Sequence, residues 1–291
     1  RTAAGRLSCW GENVGGQLGN GCLSSTDSPT TLVDFALAPA ASPTHTQIAA
    51  GNSHSCAIKS NHELHCWGHS ASGAVGNGGS AQECKPVQVF DGGAWRSVTA
   101  GAAHTCGINS IGKTYCWGSN AYGQLGLDGG IRNVTKPTEV SLHGVQMISA
   151  GENHTCALVQ DGGVLCWGRN MRDNCPPDGS VCETQVTGQI SGLCDAASGA
   201  VFAPVAVSAL GDRAQAIASG WFHSCALMRS GAVKCWGWNH FGQLGRAAGA
   251  DCAVDEVIGL DSPARLLVSG GVHSCALLED GAVKCWGYNE F

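Results

Sequence analysis

Five pairs of cysteines in this sequence have the same spacing of ten residues. The pairs are Cys56 and Cys66, Cys106 and Cys116, Cys156 and Cys166, Cys225 and Cys235, and Cys275 and Cys285. The residues between the two cysteines differ from pair to pair, so the distance itself is the requirement. Paired cysteines can join in a disulfide bond, or they can bind a zinc ion as thiolates.

A histidine precedes the first cysteine of each pair by two residues, as His223 precedes Cys225. Residues two apart in a strand share a face, so each repeat offers three potential zinc ligands. A structural zinc site needs a fourth ligand, and no fourth His or Cys recurs at a fixed position. We therefore predict disulfides, with no metal and no other cofactor. The repeated histidine is expected to satisfy backbone groups where one unit meets the next.

The residues between the cysteines predict the hairpins that bring the two sulfurs together. Two short apolar stretches flank a turn, which reads Ser230-Gly231 in one repeat and Asp280-Gly281 in another. This pattern is typical of a β-hairpin. Facing Cα atoms in such a hairpin lie about 4.5–5.5 Å apart, which a disulfide accepts. Each bond closes a loop of about ten residues and is expected to contribute about 2–3 kcal/mol.

These hairpins belong to a repeat of about fifty residues. The steps between successive repeated histidines are 50, 50, 69 and 50 residues. Each period has a small-residue strand ending in glycine, the two hairpin strands, a glycine-rich loop such as 237–245, and a Pro-led extended piece such as 204–207. Four short strands per period predict an all-β fold, a β-propeller of four-stranded blades with disulfide-stapled hairpins.

The repeated segments Ala-Gly-x-x-His-Ser/Thr-x-Ala-Leu and Trp-Gly-x-Asn-x-x-Gly-Gln-Leu-Gly resemble the regulator of chromosome condensation repeat family. The resemblance covers essentially the whole chain. It implies one β-propeller domain over residues 1–291, partial at both ends and seven-bladed when complete, with an insertion at about 171–201. Unlike intracellular members of that family, every complete repeat here has both hairpin cysteines. Secreted bacterial relatives include a β-lactamase inhibitor that binds through propeller loops, which implies binding without catalysis.

Composition limits the setting and the partners of the chain. Seventeen cysteines at paired spacings indicate an oxidising, extracellular or cell-surface location. The net charge of −6 and the lack of a basic run argue against nucleic acid. No apolar stretch has the length of a membrane span, so we expect no membrane insertion.

The sequence predicts a binding protein rather than an enzyme, because it has no nucleophile elbow, phosphate-binding loop or zinc-protease motif. Non-repeating aromatic residues of the glycine-rich loops are the binding candidates, namely Tyr122, Trp238, Phe241 and Tyr288. The predicted function is a protein-interaction or structural module of an extracellular assembly, whose partners are copies of itself, other surface proteins or glycans. The alternatives are a secreted inhibitor or receptor-type binder of one target, and a lectin.

Several cysteines and two sequons complete the set of candidate sites. Six cysteines lie outside the hairpins with their pairing open: Cys22, Cys84, Cys175, Cys182, Cys194 and Cys252. The insertion is expected to be a loop that its cysteines staple. Asn133-Val-Thr and Asn153-His-Thr are glycosylation sequons, and Asn133 is the better candidate.

Overall fold

The structure is a computed structural model that describes residues 7–22, 47–90, 93–127, 129, 131–174, 183–186, 199–248 and 252–290. The chain forms two compact units, one of Arg1–Ala121 and Gly129–Ile148, the other of Tyr122–Asp128 and Ser149–Phe291. Nearly all regular structure in the described residues is β-strand, with one short 3₁₀ helix at Ser208–Leu210. Among these residues no helix has the length and apolarity of a membrane span.

The first eight strands form two antiparallel sheets in which strand order follows chain order. The first sheet contains β1 (Gln47–Ala50), β2 (His54–Ile58), β3 (Leu64–Gly68) and β4 (Glu83–Gln88). The second contains β5 (Trp95–Ala100), β6 (His104–Asn109), β7 (Thr114–Ser119) and β8 (Asn133–Val140). Each sheet is one repeat, with the small-residue strand at one edge and the proline-containing strand at the other.

The remaining strands form two sheets of four strands, one of three and a two-stranded ribbon. The third sheet contains β9 (Val145–Ala150), β10 (His154–Val159), β11 (Val164–Arg169) and β14 (Ala200–Ala206). The ribbon pairs β12 (Met171–Asn174) with β13 (Glu183–Val186). The fourth sheet contains β15 (Ala214–Ser219), β16 (His223–Met228), β17 (Val233–Gly237) and β18 (Cys252–Glu256), and the fifth contains β19 (Ala264–Ser269), β20 (His273–Leu278) and β21 (Val283–Gly287).

The predicted disulfide-stapled hairpins are confirmed. In β16 and β17, Cys225 pairs directly with Cys235, and the other four hairpins have the same register. All five hairpin disulfides are present with Cα atoms 4.1 Å apart. The turn is tight because Gly231 adopts a φ of 85°, which residues with a Cβ rarely reach.

The disulfides belong to the apolar core that holds neighbouring sheets together. In the first unit Cys56, Cys66 and Trp95 share one buried cluster, which spans the first and second sheets. In the second unit the disulfide of the fourth sheet packs in a cluster with Ala264 and Leu278 of the fifth. The cysteines of the first four hairpins are 0 % exposed. Because water cannot reach them, these bonds serve the packing of the sheets as well as the closing of the hairpins.

The structure also describes part of the insertion and some of the cysteines outside the hairpins. Part of the insertion forms the β12–β13 ribbon, so it is not entirely a loop as expected. Cys22 and Cys84 form a disulfide with Cα atoms 4.9 Å apart, whereas Cys9 is free. The pairing of Cys252 stays open, and Cys175, Cys182 and Cys194 lie outside the described residues. The seven-blade count and the single domain stay predictions.

Candidate binding surface on the glycine-rich loops

Within each unit, repeated histidines link one sheet to the next through side-chain hydroxyls, and their contact with backbone groups stays a prediction. These contacts, each of 2.8 Å from Nε2 to Oγ, are His54 with Thr105 in the first unit, and His154 with Ser224 and His223 with Ser274 in the second. Thr105 donates its only hydroxyl proton to the carbonyl of Ala74 at 2.7 Å. The His54 ring must therefore donate from Nε2 to Thr105.

Burial keeps these rings neutral. Desolvation lowers the pKa of His54 and of His154 to about 4, and His69 adds a smaller lowering at His54. The pKa of His223 falls to about 3 for the same main reason, with smaller contributions from two other histidines. The neighbouring sulfurs are tied in disulfides and cannot act as thiolate ligands. In the described part of the chain, no group of three or more His, Cys, Asp or Glu side chains is placed to hold a metal ion.

Four tryptophans of the Cys-Trp-Gly segments are also structural. Their indole N–H groups donate to a carbonyl of the preceding glycine-rich loop: Trp67 to Gln17, Trp117 to Ala74, Trp167 to Gln124 and Trp286 to Gln243, at 2.8–3.0 Å. The first three rings are 0 % exposed. Each of these four glycine-rich loops is thereby fixed to the sheet that contains its tryptophan partner.

In the glycine-rich loops that carry both an Asn and a Gln, these two side chains fix the shape of the loop. In the loop of the fourth sheet, Asn239 accepts a hydrogen bond from the Leu244 N–H at 2.9 Å. The amide oxygen of Gln243 accepts from the Phe241 N–H, also at 2.9 Å. Gln124 holds the Tyr122 N–H in the same way. The repeat motif therefore orders these loops and presents their fifth residue, Phe241 or Tyr122, at the surface.

An aromatic surface results on the fourth and fifth sheets, made of Phe222, Trp238, His240, Phe241 and Tyr288. Trp238 is the centre, with Phe222 edge-on at 5.8 Å, His240 stacked at 5.6 Å and Phe241 edge-on at 5.3 Å between ring centroids. Phe241 in turn contacts Tyr288 at 4.7 Å. Three of the four predicted binding residues are thus brought into one contiguous group.

The residues of the aromatic surface differ in how much of each ring is exposed to solvent. Trp238 is only 3 % exposed, so it supports the surface and does not present the open ring that the sequence suggested. Phe241 is 39 % exposed, and His240 is exposed beside it. Tyr122 has a different neighbour, since the guanidinium of Arg169 lies 4.5 Å from its ring centroid.

Sequence reasoning did not select His240 or an open cleft next to the aromatic surface. The cleft has a volume of about 800 Å³ and is lined by Trp221, His273, Trp286 and Tyr288, among others. Trp221 is 43 % exposed and lies over Gly271, where a Cβ would come within 2.7 Å of the indole. The glycine doublet Gly270-Gly271, which departs from the repeat, was the sequence signal for this contact.

The two sequons differ in their surroundings. Asn133 is exposed at the first position of β8. Asn153 is half-buried, and the hydroxyl of its sequon residue Thr155 is buried and donates to Gln124 at 2.8 Å. The structure thus leaves the first sequon open and encloses the second.

Solved structures of similar fold include three propellers. The yeast RCC1 protein Prp20, solved bound to Kap60, has a TM-score of 0.81 at 20 % identity, and covers 98 % of this chain and 66 % of its own. The Saccharomyces cerevisiae Prp20p structure, described with its binding to Gsp1p and histones, gives 0.77 at 22 %, covering 97 % and 67 %. Human WBSCR16 gives 0.76 at 20 %, covering 97 % and 70 %. The chain therefore spans about two thirds of the length of these proteins.

The repeats themselves match known families. Residues 46–74, 95–124, 145–172, 214–243 and 265–291 match one family described as regulator of chromosome condensation (RCC1) repeat, and residues 4–58 and 112–158 match a second family of the same description. The matched segments contain the histidines, cysteines and tryptophans whose contacts join the sheets. This chain belongs to the RCC1 repeat family of β-propeller proteins.

Proposed function

We propose that this chain is an extracellular β-propeller that binds other proteins without catalysis, as an interaction or structural module of a cell-surface or extracellular assembly. The observation that carries the proposal is the aromatic surface on a loop fixed by its own hydrogen bonds. Phe241 is 39 % exposed there, against the buried ring of Trp238. Rigid, partly exposed aromatic side chains are the residues that most often dominate protein–protein affinity.

The extracellular setting is supported by the number and burial of the disulfides. The described residues contain six, five of them at the same hairpin position. Disulfides in every repeat persist in oxidising compartments and are rare in the cytosol. Four of the hairpin disulfides are fully buried, so the protein matures where oxidation can accompany folding.

The solved propellers of similar fold support protein binding as the class of function, but they do not identify the partner. Prp20 was solved with Kap60, and Prp20p is described as binding Gsp1p and histones. Those proteins show that a propeller of this kind can work by binding proteins. At about 20 % identity only the fold carries over, so the partner of this chain must fit its own aromatic surface and its net charge of −6.

The test compares variants of the disulfide-intact chain in capture from extracellular fluid of the source, with cross-linking to identify contact residues. Phe241→Ala is expected to weaken capture at least tenfold, because loss of an interface anchor costs about 2 kcal/mol or more. Ile111→Ala, which changes an apolar residue that is 77 % exposed in the turn between β6 and β7, is the matched control and should bind as the unchanged chain does.

Two outcomes contradict this proposal. If the Phe241→Ala variant captures partners as well as the unchanged chain does, the aromatic surface is not the binding surface. Intact mass before and after reduction counts the disulfides of natively isolated protein. Free thiols at the hairpin cysteines would contradict the extracellular setting. If the chain captures no protein but binds glycans in a way that depends on Phe241, a lectin is favoured. A fixed one-to-one protein complex would favour an inhibitor or receptor-type binder over an assembly component.

A further inference from the structure

The fifth residue of a glycine-rich loop lies beside the residue that follows the next Cys-Trp-Gly segment. This arrangement occurs in both units, and the pairs are Gly15 with His69, Tyr122 with Arg169, and Phe241 with Tyr288. The repeat thus determines which position is the neighbour, while the residue at that position differs from loop to loop. For Phe241 the neighbour is a second aromatic ring, whereas for Tyr122 it is a cation.

Two other aromatic rings outside the core are covered by a cation. The guanidinium carbon of Arg169 lies 4.5 Å from the ring centroid of Tyr122. The ammonium nitrogen of Lys136 lies 3.8 Å from the ring centroid of Phe90, which is 49 % exposed. The face of an aromatic ring carries partial negative charge and therefore attracts a cation. In both places this chain itself supplies the cation.

The ring of Phe241 is 39 % exposed, and its ring contacts are with Trp238, His240 and Tyr288. Along the described ranges of the chain, no Lys or Arg side chain lies over this ring. The basic residue that follows the loop, Arg246, donates instead to two backbone carbonyls at 3.2 and 2.6 Å. The place that a guanidinium takes in the other loop is therefore open beside Phe241.

A carboxylate lies at the edge of the aromatic surface. Glu290 is exposed, and its Oε2 atom accepts a hydrogen bond from the hydroxyl of Tyr288 at 2.6 Å. The ring of Tyr288 in turn lies 4.7 Å from that of Phe241, between centroids. The chain as a whole carries a net charge of −6. The aromatic ring, the carboxylate and the net charge all favour a positively charged group on the partner.

We propose that the aromatic surface binds a basic side chain of the partner protein, with an arginine guanidinium over the ring of Phe241 as Arg169 lies over Tyr122. Arginine fits better than lysine, because a planar guanidinium stacks on an aromatic ring while it donates to a carboxylate such as that of Glu290. The inference rests on the proposed protein-binding function and adds the chemical class of the group that is bound.

The probe is Nα-acetyl-arginine amide, titrated into the isotope-labelled, disulfide-intact chain while NMR follows the amide of His240. Nα-acetyl-citrulline amide has the same shape without the charge and is the matched control. We expect a saturable shift in the millimolar range, with about two- to fivefold tighter binding of the arginine compound, as an exposed cation–π contact implies. No shift, or equal affinity for the two compounds, would overturn the inference.

Substitutions in the chain test the geometry. Tyr288→Arg places a guanidinium beside Phe241 from within the chain, in the arrangement of Arg169 and Tyr122, and should abolish the response to the arginine compound. Tyr288→Gln, which has a similar length without the charge, should keep the preference for arginine over citrulline. Phe241→Leu keeps an apolar side chain without a ring and should remove that preference. An unchanged preference in Tyr288→Arg or in Phe241→Leu would contradict the proposed position of the cation.

Failure of this inference can be told apart from failure of the proposed function. Protein capture that depends on Phe241, together with equal affinity for arginine and citrulline, would overturn only the cation and leave the binding surface in place. Protein capture that does not depend on Phe241 would contradict the proposed function and the inference that rests on it.

Discussion

Thr105 shows how one hydroxyl joins two sheets and a loop. It accepts from the ring of His54 and donates to Ala74, whose carbonyl also accepts from the indole N–H of Trp117. All three side chains are 0–1 % exposed, so no water can replace a missing partner. The equivalent hydroxyls of Ser224 and Ser274 meet the histidines of the preceding sheets. A Ser or Thr follows every repeated His, and in three repeats its hydroxyl meets the histidine of the preceding sheet.

Replacing this hydroxyl by a methyl group of the same shape should destabilise the protein. Thr105→Val is expected to lower the free energy of unfolding by roughly 1–3 kcal/mol, because the buried N–H of His54 loses its acceptor. Urea denaturation measures the change. Thr138→Val, which removes an exposed hydroxyl that donates to Lys136, is the control and should cost less than about 0.5 kcal/mol. Equal losses in the two variants would contradict the role of the buried contact.

The buried histidines predict a loss of stability in acid. Their folded pKa values lie at about 3 to 4, below the ordinary 6.5, so the unfolded chain binds protons that the folded chain does not. Between pH 6.5 and about 4 each histidine should lower the free energy of unfolding by up to about 1.4 kcal/mol per pH unit. Urea midpoints measured from pH 7 to pH 4.5 should therefore fall steadily. A flat profile would mean that the rings are not enclosed.

At the scale of the elements, burial separates the disulfides into two classes. The first four hairpin disulfides are 0 % exposed. In the fifth sheet Cys285 is exposed and Cys275 is half-buried, and in the first unit Cys22 is exposed and Cys84 half-buried. A thiolate reductant must reach a sulfur atom to attack it, so the classes differ in access.

Reduction under native conditions should follow that division. Dithiothreitol without denaturant is expected to open Cys22–Cys84 and Cys275–Cys285 first, while the four buried bonds survive until urea unfolds the sheets. Alkylation followed by mass spectrometry assigns the cysteines at each time point. Simultaneous loss of all six bonds would contradict the prediction. Cys9 is an internal reference, since burial raises its pKa to about 11 and leaves the thiol protonated and slow to alkylate at neutral pH.

At the scale of the whole molecule, the repeat keeps the contacts between sheets constant and varies what the loops present. The fifth loop residue and the residue after the next Cys-Trp-Gly meet at the surface, as Tyr122 with Arg169 and as Phe241 with Tyr288. The buried Gln and Asn contacts below them are the same in both loops. Buried contacts that stay the same from loop to loop, below surface residues that differ, are typical of a protein whose loops determine what it binds.

The proposed extracellular setting leads to one more prediction, on glycosylation. Secretion from a eukaryotic host should place a glycan on Asn133, which is exposed, and not on Asn153, whose sequon hydroxyl is enclosed against Gln124. Intact mass before and after enzymatic deglycosylation measures the outcome. Asn133→Gln should remove the added mass, and Asn153→Gln should leave it unchanged. A glycan that depends on Asn153 would contradict the prediction.

The local pattern alone determined the hairpins, the disulfides and the repeat. Cys225 faces Cys235 because a turn with glycine lies midway between them, and such short-range geometry can be read from spacing. The same reasoning found the Cys-Trp-Gly tryptophans to be structural. It also selected the loop aromatics, although it could not say which of them would be buried.

Only the tertiary structure decided where residues far apart in the chain meet. The bond between His154 and Ser224 spans 70 positions, and the sequence holds several hydroxyls that could have been its acceptor. Trp238 became a buried platform because Phe222, His240 and Phe241 close around it. Spacing along the chain sets which groups face each other inside a hairpin, whereas packing between sheets decides which of them water and partners can reach.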